Sequence, residues 1–248
     1  MVAMPPVPAP LPYDDTLRDR IAGNLAAHER RVLALDERRH AAVAVVVVDS
    51  TAGEDRADPF EPTPGSMDKI PGGAQGLDGR MANVSGGAAF LLCRRAAGLN
   101  SHASQWALPG GRLDEGETPT IAARRETDEE LGVALGPDSV LGLMDDYATR
   151  SGYVITPVVL WAGGRTELRP HAGEVLAAYR VGLHQLCRED SPRFVTIPES
   201  DRPVVQLPLG NDLIHAPTAA VLVQFRWLGL EGRGDPVGHF EQPVFAWK

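Results

Sequence analysis

Apolar residues recur along the chain in patterns that predict different elements. Leu17, Ile21, Leu25 and Val32 stand at helical spacing with charges between them, which predicts a helix over about 16–35. Residues 41–48 are an unbroken Ala/Val run, suited to a strand buried on both faces. Runs at 88–93 and 154–161 predict two more buried strands, and 174–179 a further extended piece. The best-marked helix covers 118–131: Thr118 can cap it, Pro119 takes the first helical position and Gly132 stands just past its end. Residues 219–230 fit a strand or a helix, and 203–248 as a whole resist assignment.

Polar and turn-forming stretches separate these elements. Residues 1–14 read as a disordered leader, because Pro5, Pro6, Pro8, Pro10 and Pro12 each deny the backbone a donor. Residues 49–87 are crowded with Gly, Pro and Asp and read as a flexible insertion. The expected organisation is one domain over 15–248 carrying that insertion, with no internal repeat. Strands interleaved with at least two helices predict an α/β fold with a helix-covered mixed sheet.

Charge narrows the function classes. Lys and Arg total 24 against 33 Asp and Glu, a net charge of -9, so no global field attracts nucleic acid. An anionic ligand remains compatible if a divalent cation mediates the contact. Cys93 and Cys187 are the only cysteines, which suggests neither a disulfide framework nor a zinc site. No segment reads as a signal peptide, and the most apolar run is far shorter than the ~20 residues that span a bilayer. A soluble cytoplasmic protein is expected.

Chemistry concentrates in one stretch. On a helix at ~100° per residue, Glu126, Glu129 and Glu130 fall at i, i+3 and i+4 and share a face. Ala122, one turn earlier, leaves space for something to approach. Thr120, Ala123, Thr127 and Leu131 form a neighbouring face that can pack on a sheet. Acidic faces of helices are mostly just solvated, but stacked carboxylates also suit a hard divalent cation such as Mg²⁺ or Mn²⁺. Arg125 can reach back to Glu117, and the Gly110-Gly111 turn lets main-chain groups approach a metal or phosphate closely.

The complete spacing decides between these readings. It runs Gly111, five residues, Glu117, seven residues, Arg125-Glu126, two residues, Glu129-Glu130, one residue, Gly132. At usages of about 6% per residue type, seven fixed positions match by chance roughly a few times in a billion windows. This resembles the Nudix box, with Thr127 where that pattern has an aliphatic residue. The resemblance implies an α/β/α sandwich with a mixed sheet. It also implies metal ligation by Glu126, Glu130 and the Gly111 carbonyl, with Glu129 a third ligand or a base acting through water. Arg125 and Glu117 would orient the helix. The implied reaction is metal-dependent hydrolysis of a nucleoside diphosphate derivative, in which the metal lowers the pKa of an attacking water.

Residues 91–111 are further similar to the coenzyme A pyrophosphatases. Arg95, Leu99, His102, Gln105 and Pro109-Gly110-Gly111 match that subgroup, while Cys93, Ser104 and Leu108 depart from it. Residues 145–157 are similar as well. The resemblance implies cleavage of coenzyme A or an acyl-coenzyme A to 4′-phosphopantetheine, or its acyl form, and adenosine 3′,5′-bisphosphate. Arg95, His102, Gln105 and Arg150 are then the candidate substrate contacts. ADP-ribose or another nucleoside diphosphate derivative is the alternative substrate. A ligand-sensing module without turnover is the alternative of another class. Asp146 and Glu174 are candidate bases. The expected partner is a small coenzyme A-like nucleotide, with no nucleic acid and no membrane; a homodimer stays open.

Overall fold

The structure is a computed structural model that describes residues 7–54, 59, 70–73, 77, 79–96 and 105–247. Leu99, His102 and Ser104, residues 55–58, 60–69, 74–76 and 78 of the 49–87 stretch, and residues 1–6 lie outside the described residues. The elements run α1 (Asp15–Ala27), β1 (Arg39–Ser50), β2 (Gly87–Arg95), β3 (Trp106–Ala107), β4 (Gly110–Arg112), α2 (Pro119–Leu131), β5 (Val140–Leu143), β6 (Tyr147–Ala148), β7 (Tyr153–Trp161) and β8 (Val175–Gly182). They continue with β9 (Arg193–Ile197), β10 (Ser200–Leu209), β11 (Asp212–His215) and α3 (Thr218–Gln224), which runs on as a π-helix over Phe225–Leu230. Among the described residues, no helix is long and apolar enough to cross a membrane.

Strands β1 to β8 form one mixed sheet along the path β3-β2-β1-β7-β5, with β4 on β1, β6 on β7 and β8 on β2. Among the described residues, β1 and β7 are the one parallel pair of that sheet and its other pairs are antiparallel. The central strands are apolar on both faces because both faces are covered. Ala42, Ala44, Val46, Leu91 and Val158 pack with Ala122, Ala123 and Leu131 of α2. Val45, Val47, Phe90 and Val159 pack with Leu17 and Ile21 of α1 and with Ala219, Val223 and Phe225 from α3 and its extension. The result is the α/β/α layering expected, plus a three-stranded sheet β11-β10-β9 built from residues 193–215, which only partly fall in the unassigned 203–248 region.

Several expectations change. The first helix stops at Ala27, and Val32 is exposed in an extended linker. Buried acids hold that linker: Asp145 takes His28 and the Arg31 amide, while Asp146 takes Arg30, the Leu33 amide and the Thr156 hydroxyl. Within the stretch read as a leader, Leu11 and Tyr13 are held against the sheet. The Leu11 carbonyl accepts from the Ala88 amide at 2.7 Å, and Tyr13 stacks on Trp161 at 4.2 Å. Within the stretch read as an insertion, Met81 and Val84 are core residues. Residues 219–230 are helical, because their apolar positions face the covered side of the main sheet.

Arg94 and Arg95 end β2 and diverge. Arg94 is 2% exposed, stacks 3.6 Å over Trp106 and pairs with Asp212 at 3.0 Å, tying the main sheet to the small one. Arg95 faces the α2 side, where its charge acts on Glu130 and Cys93.

The linker acids give the first prediction. Asp146→Ala leaves the Leu33 amide, Thr156 and Arg30 without their shared acceptor, and is expected to lower stability by about 3 kcal/mol in urea denaturation. A change below about 0.5 kcal/mol would show that the linker is held by other contacts.

Candidate active site

The site is assembled by β4, α2 and the loop between them. Residues 110–112 pair with 43–41 of β1, which fixes the glycine turn against the sheet. Thr118 accepts the Ile121 amide, Pro119 opens α2, and Gly132 closes it at φ +67°, in the left-handed region. Thr127 is fully buried, and its hydroxyl donates to the Ala123 carbonyl at 2.7 Å, so it packs like an aliphatic residue with its polar atom satisfied. Ala122 is fully buried against the sheet, not beside an opening.

Arg125 organises the acids. Its Nε and Nη2 donate to the two carboxylate oxygens of Glu117, each at 2.9 Å. Nη1 donates to Glu126 at 2.8 Å and Glu129 at 2.9 Å, and Nη2 also donates to the Arg112 carbonyl at 3.0 Å. All five guanidinium N–H groups are used. The Arg125 hydrogen bonds and the Asp114 amide hold Glu117 below the usual carboxylate range, while Arg125 itself is pushed up, first by Glu117.

Glu126 and Glu130 face the glycine turn. A Cβ on Gly111 would fall 2.3 Å from Glu126 Oε1, so a larger residue in this cradle would push the Glu126 carboxylate aside. Glu130 is 4% exposed, and the contact to its Oε2 is the Gly110 amide at 3.4 Å. Burial, then the charge of Glu126, pushes Glu130 up to about 8, against the opposing pull of Arg95 and the Gly110 amide. Burial also raises Glu126, with Arg125 opposing. Glu129 points out of the cradle, its side chain 58% exposed in the grip of Arg125.

The structure brings a further acid to this place. Glu174, just before β8, raises both Glu126 and Glu130 by its charge. The loop that carries it is fastened to α2, since the His171 amide donates to the Glu130 carbonyl at 2.8 Å. Its sequence signal was only an acid after a Pro- and Gly-containing turn. Asp146 is turned away from solvent and occupied in the linker. Of the candidate substrate contacts, Arg95 ends β2 with its Nε buried and without a hydrogen-bond partner among the described residues. The Gln105 main-chain carbonyl accepts the Arg95 amide at 3.0 Å. Arg150 pairs with Glu241 and lies 5.0 Å from the Trp247 ring centre, so its charge is met by a carboxylate of the C-terminal segment.

Among the described residues, no three His, Cys, Asp or Glu side chains form a group that could hold a metal as it stands. The donors facing the cradle are two carboxylates, Glu126 and Glu130. They nevertheless fit a hard divalent cation: the two facing carboxyls, one of them buried, lack a full counter-charge, and Gly111 carries no Cβ to crowd them. Water and phosphate oxygens would complete such a shell.

A pH dependence follows. Glu130 binds its proton more tightly folded than unfolded, so between the ordinary carboxylate range and about 8 the native state holds the extra proton. Metal-free protein is therefore expected to lose stability as pH rises through that window, by up to about 1.4 kcal/mol per pH unit. Glu130→Gln should flatten the slope, and Mn²⁺ should offset it at the alkaline end. Thermal melts in EDTA across pH 5–8 measure this, and a flat wild-type profile would remove the strained-carboxylate account.

Comparison with known proteins agrees with the motif. Residues 81–198 match the NUDIX domain family. A Nudix hydrolase NudL of Pectobacterium atrosepticum is 35% identical over 97 residues, 39% of this chain and 50% of that protein. Nudix hydrolase 3 of Caenorhabditis elegans is 31% identical over 113 residues, 44% of this chain and 47% of that protein. The chain thus spans about half the length of the curated relatives it matches. A MutT/nudix family protein from Enterococcus faecalis superposes over 86% of this chain and 73% of its own at 12% identity, with a TM-score of 0.46, too loose a likeness to argue from. The match covers 118 of the 248 residues and contains the box at 111–132, so that part of the chain is similar to the NUDIX domain family.

Proposed function

We propose that this chain hydrolyses the diphosphate bond of a nucleotide derivative, with Mg²⁺ or Mn²⁺ held by Glu126 and Glu130. The observation that carries the reading is the buried Glu130 carboxyl set with Glu126 against the Gly110-Gly111 turn, while Arg125 clamps Glu126 and Glu129. A bound cation would supply charge neutralisation of the diphosphate and a lowered pKa for water. The chain's own residues do the positioning. Arg125 keeps Glu117, Glu126 and Glu129 in register, and Arg95 offers a guanidinium on the same side of the sheet. Glu129, at the exposed rim, and Glu174 are the carboxylates placed to take a proton from water.

Coenzyme A or an acyl-coenzyme A is the proposed substrate, cleaved to 4′-phosphopantetheine (or its acyl form) and adenosine 3′,5′-bisphosphate. Support comes from the similarity of residues 91–111 and from Arg95, whose Nε is unspent at the end of β2.

The test is product analysis with Mn²⁺ on coenzyme A, 3′-dephospho-coenzyme A and ADP-ribose, for wild type and Glu130→Gln. Preferential turnover of coenzyme A, lowered about 1,000-fold or more in the variant with its fold intact, is expected. Turnover of ADP-ribose alone would keep the chemistry and discard the substrate. Wild-type activity retained in Glu130→Gln would discard the metal centre. No turnover at all would favour a ligand-sensing module.

A further inference from the structure

On the other face of the sheet, at the same end as the glycine turn, two arginines converge on one tyrosine. Arg39 opens β1 and sits directly across from Tyr153, which opens β7. Arg112 ends β4 opposite Ala41. Residues two apart on a strand share a face, so Arg39, Ala41 and the paired Arg112 and Tyr153 all point the same way. Gly111 points at Glu126, and strand alternation turns its neighbour Arg112 to the opposite side.

The Arg39 guanidinium lies 4.4 Å from the Tyr153 ring centre and that of Arg112 5.5 Å, while Arg112 Nε donates to the Tyr153 hydroxyl at 2.9 Å. Neither arginine has a carboxylate within 4.0 Å among the described residues, although the chain carries a net charge of -9. Neighbouring arginines are matched: Arg38 with Asp36, Arg125 with Glu117, Arg150 with Glu241. An aromatic face attracts a guanidinium by about 0.5–1 kcal/mol at an exposed site but does not neutralise it. Two planar, exposed forks gathered around one tyrosine ring suit the oxygens of a phosphate dianion.

We propose that Arg39, Arg112 and Tyr153 form a binding site for a phosphate monoester, distinct from the carboxylates at Glu126 and Glu130. The site is not isolated from the acid cluster, because the Arg112 carbonyl accepts from Arg125. The phosphate belongs either to an outlying part of the same molecule that lies at the carboxylates or to a separate nucleotide. This inference holds whether or not the chain is a hydrolase.

Calorimetric titration of the full chain with adenosine 3′,5′-bisphosphate and with inorganic phosphate, first in EDTA, tests it. Arg39→Gln and Arg112→Gln are each expected to weaken bisphosphate binding about tenfold, while Arg165→Gln, which removes the same charge elsewhere, leaves it unchanged. With Mn²⁺ added, one bound molecule sensitive to both Arg39→Gln and Glu130→Gln identifies an outlying phosphate of a single ligand. Two bound molecules, each sensitive to one of those variants, identify a separate nucleotide. No binding in EDTA, binding indifferent to Arg39→Gln and Arg112→Gln, or an equal loss in Arg165→Gln overturns the site. Far-ultraviolet spectra and melts of the variants separate lost binding from lost folding.

Discussion

The guanidinium of Arg125 joins the glycine loop to the helix that follows it, and the rest of the candidate site depends on that junction. It neutralises Glu117 in a two-pronged contact and fixes the exposed Glu129 and one oxygen of Glu126. Its geometry also determines what stays unneutralised. Glu130 lies one turn beyond Glu126, on the sheet side, where burial dominates its titration and Arg125 is not among its leading influences. Hydrogen bonds to charged groups are worth about 1.5–3 kcal/mol each, so releasing Arg125 would cost the loop its shape before it cost the helix its stability.

The scaffold explains why an unfavourable carboxylate can persist. Residues 122, 123, 127 and 131 of α2 press on strands apolar on both faces, and the Thr127 hydroxyl is satisfied within the helix. That packing fixes the helix whatever the charge state of its acids. Gly132 and the loop at 169–171 close the other end, with Arg169 and His171 amides meeting the Leu131 and Glu130 carbonyls. Glu174 arrives with that loop, so a third acid is set beside the pair by backbone hydrogen bonds.

Local rules made the chemistry legible. The spacing of Glu117, Arg125, Glu126, Glu129 and Glu130 fixes their angular positions on one helix, and the Thr118, Pro119 and Gly132 signals bound it. The buried strands were legible for the same reason, since continuous Val and Ala runs need cover on both faces. What stayed hidden depends on contacts distant in sequence. Val32 continues a helical period but sits in a linker held by Asp145 and Asp146, more than 100 residues away. Arg94 and Arg95 look alike in sequence, yet strand alternation buries one against Trp106 and turns the other towards Glu130. Helical spacing puts Glu129 beside Glu126 and Glu130, but only the Arg125 contact shows that it leans outward.

The central claim is that Glu130 is held protonated near neutrality until a cation enters the cradle. Titrating Mn²⁺ into metal-free protein at pH 7, in buffers of different ionisation enthalpy, counts the protons released on binding. Close to one proton per bound Mn²⁺ is predicted, falling towards zero in Glu130→Gln along with most of the affinity. Tight binding without proton release, or binding unchanged in Glu130→Gln, would contradict the account.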